Sequence, residues 1–260
     1  MPSVKLDEEK FIFYEDLGEG IPVIFVHPPG MGRHVFYFQR KLKQNMRLLM
    51  PDLSGHGDSS RVNPEKISIE YYAKELVTFM DKLNIDQAVF CGYSAGGAIT
   101  QFISVFYQER VRGLILFGGY PTVQHTLFKW EHKAGMYLVE KQKALLAYLL
   151  SISHTNNEKF QKILYKHMIK SQTEVWKAYY QEVLHYNVIR YLDKINVPVL
   201  IMYGTKSDLI NKYTKYYKQR IKEIRIVYFK RTNHQVPTKR SKLANLEIER
   251  FIKYKIDHKE

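Results

Sequence analysis

Seven short runs of apolar and β-branched residues punctuate the chain: "FIFYED" (11–16), "VIFVH" (23–27), "RLLMP" (47–51), "AVFCG" (88–92), "GLILFG" (113–118), "VPVLIMYG" (197–204) and "RIVYF" (225–229). Most are apolar throughout instead of alternating, which is the pattern of strands buried on both faces. Segments with apolar residues at three- and four-residue steps separate most of them. Strand and helix in alternation predict an α/β domain with a mostly parallel sheet covered by helices on both sides. The first two runs, joined by the turn-forming "LGEGIP", predict instead an antiparallel hairpin at the sheet's edge. There is no internal repeat and no low-complexity linker.

One segment interrupts the alternation. Between "GLILFG" and "VPVLIMYG" the chain runs for some 78 residues without a strand pattern, rich in Leu, Tyr, Lys and Glu at helical spacing. In "YLVEKQKALLAYLL", residues Leu138, Lys141, Leu145, Tyr148 and Leu149 fall on one helical face. "EKFQKILYKHMI" and "EVWKAYYQEVLHY" repeat the pattern. The expected organisation is a core domain of residues 1–119 and 191–260, with residues 120–190 inserted as a helical cap over one end of the sheet.

The apolar run at 88–92 stops abruptly at "GYSAGG", where Gly92, Ser94 and Gly96 form G-x-S-x-G between a predicted strand and a predicted helix. A sharp strand-to-helix turn brings backbones so close that only small residues fit at 92 and 96. It also holds the serine at the tip beside the amides of the new helix, which favour developing negative charge. A serine hydroxyl needs a base to take its proton, and the base needs an acid to orient it. Later strand ends supply both in the order Ser, acid, His: Asp208 follows "VPVLIMYG" and His234 follows "RIVYF".

With those residues in view the chain resembles the α/β-hydrolase family over nearly its whole length. "VIFVHPPGMG" resembles the family's histidine-glycine loop, "MPDLSGHGDSS" its D-x-x-G-x-G-x-S loop and "CGYSAGG" its nucleophile elbow. The resemblance implies a catalytic triad of Ser94, Asp208 and His234, with Asp52, Gly55, His56, Gly57 and Ser59 architectural. Some relatives place the acid after the sixth strand, but "LFGGYPTV" has no carboxylate there. The family's oxyanion hole takes one amide from the residue after the nucleophile, here Ala95. The other commonly comes from two residues after the loop histidine, here Pro29, which has no N–H. Gly30, with no Cβ to hinder it, is the expected substitute, with Met31 as the other option.

Composition and charge narrow the picture further. At 260 residues, 45% hydrophobic and 25% charged, the chain can bury a sizeable core. Cys91 is the only cysteine and sits inside an apolar run, so no internal disulfide is possible and a buried core role is expected. The acidic start "MPSVKLDEEKF" does not resemble a signal peptide, and no apolar run reaches the roughly 18 residues of a membrane span, so a cytoplasmic protein is expected. The net charge of +14 is uneven: 13 basic and 14 acidic residues in 1–119, 10 and 5 in 120–190, and 17 and 7 in 191–260. The basic C-terminal third, including "KYTKYYKQRIKEIR" (212–225), reads as a solvated helix or as a surface for an anionic ligand. No nucleic-acid motif, metal-ligand cluster or nucleotide loop accompanies it, so no nucleic-acid partner, metal or cofactor is expected.

These observations favour a serine hydrolase acting on an ester or thioester of a small, largely hydrophobic substrate, by way of an acyl-enzyme. The motifs leave open a lyase or acyltransferase of the same fold, and a ligand-binding or signalling protein in which the prolines have weakened catalysis. Ser94 at the elbow excludes the aspartate nucleophile of the family's epoxide and haloalkane hydrolases.

Overall fold

The computed structural model describes residues 2–206 and 208–257, with the side chain of Asp208 outside the described residues. Eight strands form one sheet in the order β1-β2-β4-β3-β5-β6-β7-β8. They are β1 (Ser3–Lys5), β2 (Phe11–Leu17), β3 (Pro22–Val26), β4 (Arg47–Pro51), β5 (Ala88–Tyr93), β6 (Val111–Phe117), β7 (Val199–Gly204) and β8 (Ile224–Phe229). The pairs β1·β2 and β2·β4 are antiparallel and the remaining neighbours parallel. All seven sequence runs are strands, and β5 and β7 are buried at every residue, as an apolar run without alternation requires.

The expected hairpin does not form. β2 pairs with β4, not with β3, because β3 is flanked by β4 on one side and β5 on the other. A strand buried along almost its whole length is best satisfied by partners on both edges, and the short "LGEGIP" turn carries the chain past β4's position without pairing its flanks. β1 caps the edge beyond β2 and is too short, at three residues, to leave an apolar signal.

Helices cover both faces over two apolar clusters, one centred on Ile24, Phe79 and Ile99, the other on Phe25, Met50 and Ile248. On the core these are α1 (Ile69–Lys82) and α2 (Gly96–Phe106). Ser68 caps α1 by accepting from the Tyr71 amide at 2.9 Å. The segment between β6 and β7 is helical, with α3 (Thr126–His154), α4 (Glu158–Lys170) and α5 (Thr173–His185). After β7 come α6 (Asp208–Asn211) and α7 (Thr214–Arg220), and after β8 α8 (Val236–Lys239) and α9 (Ser241–Phe251). The face of α3 read from 138–149 does not pack inward: Lys141, Leu145, Tyr148 and Leu149 are exposed. The buried positions are Phe128, His132, Gly135 and Val139, then Leu146, Ala147, Ser151 and His154. Gln142, at φ −146° and ψ 51°, breaks the helical phase between them.

A buried ionic cluster joins the helical segment to the core. The Asp52 carboxylate accepts from the Arg33 amide at 2.7 Å, the Asp58 amide at 3.0 Å and His167 Nε2 of α4 at 2.9 Å, and pairs with the Arg33 guanidinium. Asp58 in turn takes Arg33 at 2.8 Å and Lys170 at 2.6 Å. Asp52, Asp58 and His167 lie close enough to share a metal, but Arg33 and Lys170 already supply the balancing positive charge. Burial alone would raise the Asp52 pKa, and His167 and Arg33 outweigh it to hold the carboxyl below its usual range. Gly32 and Gly57 complete the fit, since a Cβ on either would fall within 2.8 Å of Asp52. Ser59 Oγ donates to the Asp52 carbonyl at 2.6 Å, so the D-x-x-G-x-G-x-S loop is architectural in fact. Asp52→Asn leaves Arg33 underpaired in the interior and is expected to destabilise the protein by about 3–5 kcal/mol. Urea denaturation measures this, and a loss below about 1 kcal/mol would show the cluster to be structurally idle.

Candidate active site

The chain turns from β5 into α2 at Ser94, whose φ of 52° places it in the left-handed region that L-residues avoid. The turn is held on both sides. The Ser94 amide donates to the Phe117 carbonyl at the end of β6 at 2.8 Å, and its carbonyl accepts from Gly97 at 2.9 Å. Neighbouring backbones leave no room for side chains: a Cβ on Gly96 would lie 2.1 Å from the Val26 carbonyl oxygen, and one on Gly92 2.7 Å from the Gly97 Cα. These are the close approaches that G-x-S-x-G predicts.

Ser94 and His234 line one cavity of about 610 Å³ between the strand ends and α3. Its wall is largely apolar, with Pro29, Met31, Phe128, Leu138, Leu146 and Leu150, and Glu131, Lys206 and Asn233 add polar groups. His234 packs in a pocket with Tyr93, ring centroids 5.3 Å apart, and against Gly118, where a Cβ would lie 2.4 Å from its ring. Burial pushes the His234 pKa down to about 4, with His154 and His132 adding smaller repulsions. Its Nδ1 is buried and has no hydrogen-bond partner among the described residues. Asp208 begins α6 four residues past the end of β7, and the side chain on which the acid role rests lies outside the described residues.

The "HPPGMG" loop forms a turn in which the Met31 amide donates to the Pro28 carbonyl at 3.3 Å, with Pro29 second and Gly30, at φ +78°, third. Pro then left-handed Gly is the sequence of a type II turn. Met31 therefore spends its amide within the turn. Gly30 lies under the Trp176 ring, 2.0 Å from where its Cβ would be, and its carbonyl accepts from Ser171 Oγ at 3.0 Å. Among the described residues its amide has no backbone acceptor, and neither has that of Ala95, which lines the cavity. Gly30 itself is not part of the cavity wall. His27 anchors the loop, accepting from the Leu53 amide at 3.0 Å through Nε2, and burial lowers its pKa to about 4.

Two tyrosines beside Ser94 escaped the sequence reading. Tyr93 precedes it, and Tyr120 stands where the loop after β6 returns, and both line the cavity with Ser94. Each phenol meets a histidine of α3: Tyr93 Oη lies 3.0 Å from His154 Nε2, and Tyr120 Oη 3.3 Å from His132 Nε2. The steps Phe128, His132, Gly135, Val139 put His132 on the inward face of α3. That inward polar position was the available signal.

A sequence profile of the alpha/beta hydrolase fold matches residues 21–160, more than half of the chain. The chain belongs to the α/β-hydrolase family. Among curated relatives, bifunctional epoxide hydrolase 2 of Sus scrofa is 32% identical over 106 residues, 40% of this chain and 19% of the relative. The 2-hydroxy-6-oxo-2,4-heptadienoate hydrolase of Pseudomonas putida is 31% identical over 107 residues, covering 40% of this chain and 39% of that one. The match thus spans well under half the length of these relatives. Among solved structures, an esterase from Exiguobacterium antarcticum superposes with a TM-score of 0.85 at 19% identity, covering 94% of this chain and 96% of that one. The enol-lactonase of Burkholderia xenovorans LB400 gives 0.83 at 16% identity, covering 97% of this chain and 100% of that one. At these identities the structures share the fold. Among the described residues, no helix of this family member is long and apolar enough to cross a membrane.

A histidine that accepts a proton from Ser94 must be neutral. The His234 pKa is lowered from 6.5 to about 4, so the neutral form is present above that value and lost as pH falls through it. The acid limb of kcat/KM is therefore expected below pH 6.5, as a pH profile on an activated ester will show. A limb at or above 6.5 would contradict it.

Proposed function

We propose that this chain is a serine hydrolase that cleaves a carboxylic ester or thioester of a small, largely hydrophobic substrate. The observation that carries the proposal is the shared cavity: a serine on a strained elbow and a half-buried histidine held neutral by its surroundings open into one apolar-walled space. Its volume falls in the range of small-molecule sites. In this reading His234 takes the Ser94 proton as Oγ attacks the carbonyl carbon. The Ala95 amide and the Gly30 amide stabilise the oxyanion, and His234 returns the proton to the leaving oxygen or sulfur. Water, deprotonated by the same histidine, then releases the acid. The buried Nδ1 of His234, which has no hydrogen-bond partner among the described residues, calls for an acceptor, and Asp208 is the carboxylate that the order of strands assigns to it. The esterase and lactonase likenesses fit this chemistry. The epoxide hydrolase relatives do not displace it, because the elbow carries Ser94.

Residues 120–190 act as the cap that closes the cavity, α3 supplying much of its wall. With Lys206 at the wall and an excess of basic residues in the C-terminal third, the substrate's leaving portion can be anionic, as in an acyl thioester with a phosphorylated carrier. An acyltransferase reaction would use the same acyl-enzyme and differ only in what attacks it, whereas a lyase reaction would use His234 as a base and form no acyl-enzyme.

A fluorophosphonate probe should add one phosphonyl group to the protein at Ser94, seen by intact mass and peptide mapping. Ser94→Ala should abolish both labelling and turnover of activated esters of graded chain length. Wild-type protein that stays unlabelled, or an alanine variant with wild-type turnover, would overturn the hydrolase in favour of a binding protein.

A further inference from the structure

α3 is apolar on two opposite faces. Phe128, Gly135 and Val139, and after the phase break Leu146 and Ala147, pack inward. On the outer side Leu127, Trp130 and Tyr137 of the first piece and Leu145, Tyr148 and Leu149 of the second stand exposed, Trp130 and Tyr137 at 62% each. Steps of three and four residues through 127, 130, 134 and 137 make the first set a stripe instead of a scatter. The six side chains serve neither the core clusters nor the cavity wall. Single apolar residues on a surface need no explanation, whereas a continuous run along one helix face marks a surface that meets something apolar.

Two features say what that is. The first is charge. α3 carries four lysines and two glutamates, and α4, packed beside it, four and one. Of the α3 glutamates, Glu140 is held by Lys141 and Lys177. Lys129 and Lys133 border the stripe, and the Lys133 amine stands over the Trp130 ring, 5.3 Å from its centroid, so cation and indole are presented together. Tryptophan and tyrosine settle at the headgroup level of a bilayer, and lysines beside them attract its anionic phosphates. A second copy of the chain fits worse, because two-fold pairing would set the same lysines against each other on a protein of net charge +14. The second feature is continuity with the cavity. Ala134, between Trp130 and Tyr137 on the stripe, and Leu138 beside it both line the space that holds Ser94.

We infer that the outer face of α3 docks the protein on anionic lipid bilayers, with Trp130, Tyr137, Tyr148 and the neighbouring leucines in the headgroup layer and Lys129 and Lys133 on the lipid phosphates. Its six charged side chains keep α3 along the surface instead of across it. Docked in this way, the cap presents the cavity to apolar molecules held in the membrane. The docking itself does not depend on the hydrolytic role proposed for Ser94.

The test is sedimentation of the full chain with vesicles of phosphatidylcholine alone or mixed with phosphatidylglycerol. Binding is expected to the mixed vesicles, and is expected to fall steeply at about 1 M salt, where charges act over only about 3 Å. Each lysine near an anionic surface strengthens binding by about fivefold, so Lys129→Gln with Lys133→Gln should weaken it by about 25-fold. Trp130→Ala should weaken it by about tenfold. Lys222→Gln with Lys253→Gln, near the amino ends of the last strands and away from the cap, should leave it within about twofold of wild type. All of these side chains are exposed, so the variants keep the fold. Trp176 is fully buried, so a blue shift of tryptophan emission on the mixed vesicles reports Trp130. Failure to sediment with mixed vesicles, unchanged emission on binding, or equal weakening by the Lys222 and Lys253 pair overturns the inference. So does a dimer in light scattering that Trp130→Ala dissociates, which would give this face to a second copy. Vesicle binding by a protein that fluorophosphonate does not label would leave this inference standing and remove the hydrolase reading.

Discussion

The left-handed backbone at Ser94 is the constraint on which the rest of the site depends. Holding a non-glycine residue there costs about 1–2 kcal/mol. The surroundings over-determine it: the strand-end bond to Phe117, the start of α2, and two glycines that let the β3 strand end and the helix press against the turn from opposite sides. Everything else about the cavity follows from where that turn points. The serine emerges at the carboxyl ends of the parallel strands, the loops after β6, β7 and β8 arrive at the same end, and the histidine after β8 faces the serine after β5 across a space the core does not fill.

The inserted helices then complete the site chemically as well as sterically. His167 of α4 reaches Asp52, the junction of α4 and α5 grips the proline loop through Ser171, and Trp176 of α5 covers Gly30. α3 reaches furthest in, with His132 and His154 each meeting a tyrosine that lines the cavity with Ser94. Both histidines also stand 2.9 Å or less from a carbonyl one turn back in α3, so a helix backbone sets the tautomer in each case. The burial of so many neutral rings ties stability to pH. His27, His56, His154 and His234 all have pKa values lowered to about 3–4, so the unfolded chain binds more protons than the folded one from roughly pH 6.5 downwards, and stability declines as pH falls through that range.

Seven of the eight strands, their order of use and the elbow were legible because each leaves a one-dimensional mark: a run of Val, Ile, Leu and Phe, or a glycine where a backbone must pass. Pairing was less so. Whether β2 joins β3 or β4 depends on which strand needs two partners, and that is a property of the assembled sheet. The inward face of α3 was misread because Gln142 shifts the helical phase in mid-course, so the steps read from 138 to 149 combine residues from two differently phased pieces. Tyr120 and His132 carried no motif. Their meeting joins two elements twelve residues apart and exists only in the folded chain.

The claim that strain is built into the Ser94 backbone is tested most directly by comparing Ser94→Gly with Ser94→Ala. Both lack the hydroxyl and differ only in the Cβ that the left-handed conformation penalises. Urea denaturation should find the glycine variant more stable by about 1 kcal/mol, the reverse of the order found at ordinary helical positions. An alanine variant as stable as the glycine one, or more so, would mean that the turn holds Ser94 without strain and would contradict the account.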